Sequence, residues 1–173
     1  MAKENKISKT HKQDKTGKIK IHFAKKSELE AINAIRRQVH KVHAEGRPDI
    51  FRKKFGKKLA DHIFFYHSGK LSNIIVAKSE DAIVGFAVLE IIQKPRSPYN
   101  KARTYLRVTE FGVDKSRRRQ RIGRALMEFI KHYAYEKNFD TIELDVWEFN
   151  EGALQFYESL GFRTYRRYME FKM

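Results

Sequence analysis

The first stretch with a clear hydrophobic rhythm is IKIHFA, Ile19 to Ala24, where apolar and polar residues alternate as in a half-buried strand. From Leu29 the period changes. Leu29, Ile32, Ile35 and Val39 recur at helical spacing, and Ser27 with Glu30 forms an S-x-x-E capping box at the start. Pro48, in GRPDIF, interrupts the helical run. A second helix is predicted between Arg52 and Tyr66, with Gly56 inside it. NIIVAK and AIVGFAVLEII are apolar and β-branched, and the Ser79-Glu80-Asp81 turn joins them as a hairpin. QKPRSPYNKA is a loop, and TYLRVTEFGVD is a fourth strand. Leu126, Phe129, Ile130 and Tyr133 share one face of a helix predicted over Ile122 to Lys137. TIELDVW is a fifth strand and NEGALQFYESLG a helix ending on Gly161. FRTYRRYMEFKM is a last strand or pair of strands, with Tyr165, Tyr168 and Phe171 as its alternating face.

This order argues a mixed α/β (α+β) sheet, mostly antiparallel with one parallel crossover, rather than a doubly wound sheet. The domain is expected over residues 19–173. Residues 1–18 are rich in lysine and show no apolar period, which reads as a solvated, disordered arm. That arm is a candidate for weak nucleic-acid contact. It lacks the apolar segment of a secretory leader, and no run approaches the ~20 apolar residues of a membrane span. The expectation is a cytoplasmic protein with no membrane partner. The chain has no cysteine, so disulfides and thiolate metal sites are excluded.

The formal net charge of +16 asks for an anionic partner. Its densest focus is RRRQRIGRALMEF, Arg117 to Phe129, where five arginines surround Gly123 at a predicted helix start. Cations are disfavoured at a helix N-terminus, because the backbone already presents partial positive charge there. The same unpaired N–H groups bind phosphate, and a glycine lets the anion approach the backbone. Arg118, Arg119, Arg121 and Arg124 would add permanent charge. The pattern is neither a Walker loop nor a dinucleotide fingerprint.

VDKSRRRQRIGRALMEF followed by DVWEFNEGALQFYESLGF resembles the GNAT superfamily of acyl-CoA-dependent N-acyltransferases. The order of elements fits from Ile19 to the C-terminus. The family's phosphate motif, [QR]-x-x-G-x-[GA], falls on Arg118-Arg119-Gln120-Arg121-Ile122-Gly123 when counted from Val113 at the strand end. Arg121 then replaces the first glycine. A shifted register, Gln120-x-x-Gly123-x-Ala125, fits the pattern literally but spoils the distance from Val113.

The resemblance implies acetyl-CoA as co-substrate, a primary amine as acceptor, and direct attack in a ternary complex. It places Asn150 on the pantetheine arm, although Asn150 is equally suited to be a helix N-cap. It places Tyr157 near the sulfur, to protonate the departing thiolate. Glu110 would take the amine proton, or else form a salt bridge with Arg107 or Arg103. Strand alternation puts Val108, Glu110 and Gly112 on one face. Glycine inside a strand often marks a bulge, and the resemblance implies one at Gly112 that parts the fourth and fifth strands and frees the Val113 N–H for the thioester carbonyl. His43, Asp49 and Phe51 lie by resemblance on the acceptor side, and Glu143, Asp145, Glu148 and Glu151 are candidate sources of acidity there. Trp147 and Phe149 read as core. His40 and His43 lack a third ligand, so no metal is expected. Two other classes stay open: a basic nucleic-acid- or ribosome-binding module, and a silent acyl-CoA-binding relative. The C-terminal strand is a candidate pairing edge for a homodimer.

Overall fold

The computed structural model describes Lys12, Gln13 and residues 19–173; the arm expected over 1–18 otherwise lies outside the described residues. Six strands form one sheet in sequential order: β1 (Lys12–Gln13), β2 (Ile19–Phe23), β3 (Ser72–Ser79), β4 (Ala82–Lys94), β5 (Arg103–Val113) and β6 (Ile142–Leu144). All neighbours are antiparallel except β5 and β6. Four α-helices cover the sheet: α1 (Leu29–Gly46), α2 (Lys57–Ser68), α3 (Ile122–Glu136) and α4 (Glu151–Glu158). The mixed, mostly antiparallel architecture is the expected one.

Alternation along the central strands builds two cores. Ile74, Val76, Phe86 and Val88 point toward α1 and α2, where they meet Leu29, Ile32, Ile35 and Ile63. Ile75, Ala77, Ala87 and Leu89 point the other way, onto Leu126, Met127 and Ile130 of α3. The sheet is therefore buried on both faces between two helical layers.

The bulge lies elsewhere than expected. Val88 pairs with Glu110 and Leu89 with Val108, so Thr109 is the extra residue, while Gly112 pairs regularly with Phe86. The inserted residue flips the pleat. Val108 joins Phe111 and Val113 in the α3 core, and Glu110 with Gly112 faces α1. Gly112 is required by packing: a Cβ there would lie 2.8 Å from Phe86 and 2.9 Å from Val39.

Other departures have local causes. Gly56 is the N-cap of α2, not part of its interior. The Ser27–Glu30 box is displaced by an earlier turn in which Glu28 accepts from the Lys25 N–H at 2.8 Å and from His22. Of TIELDVW only three residues pair with β5. The expected C-terminal strand does not form. Residues 162–173 are irregular, with Tyr165, Tyr168 and Phe171 exposed. A three-residue edge is too short to template it, and ion pairs of Glu170 with Arg47 and Lys172 with Asp49 hold this segment instead.

The substitution Gly112→Ala is expected to destabilise the fold by about 1–3 kcal/mol through overpacking between sheet and α1. The free energy of urea unfolding measures it.

Candidate active site

β5 runs into a short 3-10 turn, Lys115–Arg117, that is tied down from both sides. Asp114 accepts from the Ser116 N–H (2.9 Å) and hydroxyl (2.5 Å), and from the Gln38 amide at 2.9 Å. Gln38 in turn accepts from the Lys115 N–H. Hydrogen bonds from Ser116 and Gln38 hold the Asp114 carboxyl below its ordinary range. The chain then passes through two left-handed residues, Arg119 (φ 61°) and Arg121 (φ 60°), before α3 begins.

Arg121 occupies the N-cap position, and no side chain caps the helix. The Ala125 N–H bonds the Arg121 carbonyl at 3.0 Å, so the amides of Ile122, Gly123 and Arg124 stand ahead of the helical ladder. Three free donors, the helix dipole and the flanking arginines suit a phosphate group. The left-handed backbone at Arg121 also explains why a glycine belongs in the first motif position: it alone adopts that conformation without strain. Gly123 has a further reason. A Cβ there would meet the Phe156 ring of α4 at 3.1 Å.

β6 leaves β5 after Val108, so residues 109–113 have no partner on that side. The Asp114 N–H bonds the Val84 carbonyl, and antiparallel pairs alternate. By that alternation the Val113 N–H points away from β4, into the gap. A cleft of about 780 Å³ opens there, reaching from α1 past β5 to the arginine turn and α4. Arg117, Arg118, Arg119, Arg121, Gly123 and Arg124 line one end.

Glu110 lines the middle of the cleft, gripped by Arg36 of α1. Nε donates to one carboxylate oxygen at 2.7 Å and Nη2 to the other at 2.8 Å. Arg36 is 2% exposed, and its remaining donors go to the Asn33 side chain and the Leu59 carbonyl. The partner of Glu110 is thus neither Arg107 nor Arg103. Arg103 pairs with Glu143 instead.

At the far wall, Asn150 holds the N-cap position of α4 with its backbone carbonyl, which accepts from Ala153 and Leu154. Its side chain makes no capping bond and lines the cleft. Tyr157 lines it too, packed among Phe111, Phe156 and Phe162. Burial in this apolar nest pushes its phenol up to about 12.

The acetyltransferase (GNAT) family profile matches residues 37–162, a span that holds the arginine turn, Glu110, Asn150 and Tyr157. The chain belongs to the GNAT acetyltransferase family. Such enzymes depend on acetyl-CoA. A tetramutant of the BH1408 protein from Bacillus halodurans is similar at 32% identity, with a TM-score of 0.84 over 88% of this chain and 99% of that one. Two aminoglycoside acetyltransferases share the fold. The first is meta-AAC0020 from an uncultured soil metagenomic sample, solved with sisomicin (19% identity, TM-score 0.69, 92% of this chain and 98% of that one). The second is AAC(6')-Iy with a bisubstrate analogue (14%, 0.70, 90% and 97%). No curated protein matches the chain.

Within this GNAT enzyme, the cleft brings together Glu110, Val113, Arg118, Arg119, Arg121, Gly123, Arg124, Asn150, Tyr157 and His43. Gln120 and Ala125 lie outside its lining. Asp49 and Phe51 also lie outside. Asp49 is bound by Arg47 and Lys172, and Phe51 packs against His43 and Trp147. His40 and His43 make separate bonds to the Arg52 and Val39 carbonyls, and the described residues contain no group of three metal-ligating side chains. Of the four acidic candidates only Asp145 reaches the cleft. Trp147, expected in the core, is part of the cleft wall. Arg36 is the main residue the sequence reading missed. The available signal was its place, with Asn33, on the apolar stripe of Leu29, Ile32 and Ile35. Polar groups on such a stripe need a buried partner.

Arg121→Gly is expected to raise unfolding free energy by about 1 kcal/mol by relieving left-handed strain. Arg121→Ala, which keeps the strain, leaves it unchanged. Chemical denaturation of both variants distinguishes them.

Proposed function

We propose that this GNAT enzyme transfers an acetyl group from acetyl-CoA to a primary amine by direct attack in a ternary complex. The observation that carries the reading is the uncapped start of α3, ringed by arginines and opening on the gap between β5 and β6. The residues there fit the diphosphate of coenzyme A: free amides of Ile122, Gly123 and Arg124, with Arg118, Arg119, Arg121 and Arg124 around them. Asn150, with its side chain unused by α4, suits the pantetheine amides.

Acetyl-CoA supplies the acyl group as a thioester. A C–N bond forms and the C–S bond breaks. The ammonium nitrogen loses two protons, one ending on the thiol and one in solvent. Glu110 accepts the proton that frees the amine for attack, directly or through water. The Val113 N–H stabilises charge developing on the acyl oxygen. Burial pushes the Tyr157 phenol up to about 12, so it carries its proton until the C–S bond breaks; it then passes that proton to the departing sulfur and regains one of the two lost by the nitrogen. The buried phenol stays neutral across the working pH range, which is what that role requires.

Calorimetric titration tests the site. Acetyl-CoA binds in the micromolar range, and Arg124→Ala weakens it by about tenfold. Absence of binding to the unmodified protein would end the proposal.

Two variants test the chemistry. Tyr157→Phe and Glu110→Gln each lower kcat by about 10- to 100-fold, while calorimetric affinity for acetyl-CoA stays within about twofold. Steady-state release of the CoA thiol measures the first quantity. Unchanged turnover at every pH would remove the residue concerned from the mechanism.

A further inference from the structure

We infer that the amine acceptor is a monoamine with an apolar body, and that polycationic amines are disfavoured; the inference rests on the acetyltransferase reading of the cleft. Two carboxylates line the cleft, Glu110 and Asp145. Both oxygens of Glu110 are engaged by the buried Arg36, which offsets its charge; its remaining lone pairs serve the one reacting nitrogen and offer no anion to a further ammonium. Asp145 forms no ion pair among the described residues and is exposed to solvent. It can meet one ammonium group.

The acids that could have met others are spent or turned away. Glu143 is buried against Arg103. Asp49 and Glu170, near the end of α1, are both bonded to Arg47. Glu148 and Glu151 are exposed and outside the lining. A polyamine or aminoglycoside entering here would leave several ammonium groups without anionic partners, at a desolvation cost for each. The whole chain, at +16, repels such a molecule during approach.

The wall away from the arginine turn has the opposite character. Val39 and Val42 of α1, Phe55 just before α2, Leu59 within it and Trp147 after β6 give it apolar surface alongside His40 and His43. The Trp147 ring is braced by Phe51 at 5.4 Å and by the Arg47 guanidinium at 5.5 Å, so this surface is held in place. Such a wall rewards burial of a hydrocarbon or aromatic group attached to the nitrogen. One free carboxylate and an apolar wall together describe a single amine on an apolar body.

The test compares 2-phenylethylamine, spermidine and kanamycin as acceptors for the unmodified protein at one ionic strength, with CoA thiol release as the readout. The expected kcat/KM for 2-phenylethylamine is at least about tenfold above that of either polycation, as burial of one aromatic ring supports. Equal or better use of spermidine or kanamycin would overturn the inference. So would bound acetyl-CoA, seen by calorimetry, with none of the three amines consumed. Failure to bind acetyl-CoA at all would instead strike the acetyltransferase proposal. Val42→Asp adds a carboxylate to the apolar wall and is expected to shift the kcat/KM ratio toward spermidine by at least about threefold. If that variant folds, shown by retained acetyl-CoA affinity, an unmoved ratio also counts against the inference.

Discussion

Three residue pairs hold β6 to β5, Leu106 to Val108 against Ile142 to Leu144, and then the strands part. The rest of the site depends on that separation. A sheet that continued to pair would consume the backbone donors of residues 109–113 and leave no slot. Because it does not, the end of β5 presents unpaired amides, the arginine turn opens onto the same gap, and α4 closes the far side with Asn150 and Tyr157. The bulge at Thr109 sits where the parting begins. It reverses the pleat, so Glu110 faces α1 while Phe111 and Val113 stay with the α3 core.

Electrostatics divide the cleft into two unlike ends. The start of α3 concentrates cations where an isolated helix would tolerate them least. The strain of two left-handed arginines is added to that cost. On the proposed function, both costs would be offset by a diphosphate lying against the free amides. Toward α1 the charge is cancelled pair by pair: Arg36 with Glu110, Arg47 with Asp49 and Glu170, Arg103 with Glu143. The Arg36–Glu110 pair is the important one. It fixes the orientation of a cleft carboxylate and offsets its charge.

Much of this was legible from the chain. Alternation in IKIHFA predicted β2, the apolar, β-branched runs NIIVAK and AIVGFAVLEII predicted β3 and β4, and the spacing of Leu126, Phe129, Ile130 and Tyr133 predicted α3. The arginine cluster around Gly123 marked the turn that lines one end of the cleft, and NEGALQFYESLG placed Asn150 at the start of a short helix that carries Tyr157. The misses share a cause. The C-terminal stretch has the alternation of a strand, but a strand needs a neighbour of matching length, and β6 offers three residues. Gly112 looked like a bulge because glycine weakens strands, yet it answers to Phe86 and Val39, residues distant in the chain.

Local order therefore came from the sequence by itself over most of the chain: which segments are helix or strand up to α4, and where positive charge gathers. These depend on near neighbours, whose periodicity is written in one dimension. Partnership was decided only in three dimensions. That Glu110 belongs to Arg36, 74 positions away, that Thr109 is the inserted residue, and that Trp147 lines a cleft all depend on how distant elements pack. No local pattern encodes such choices, because their energy arises from surfaces that meet after the sheet and both helical layers have closed together.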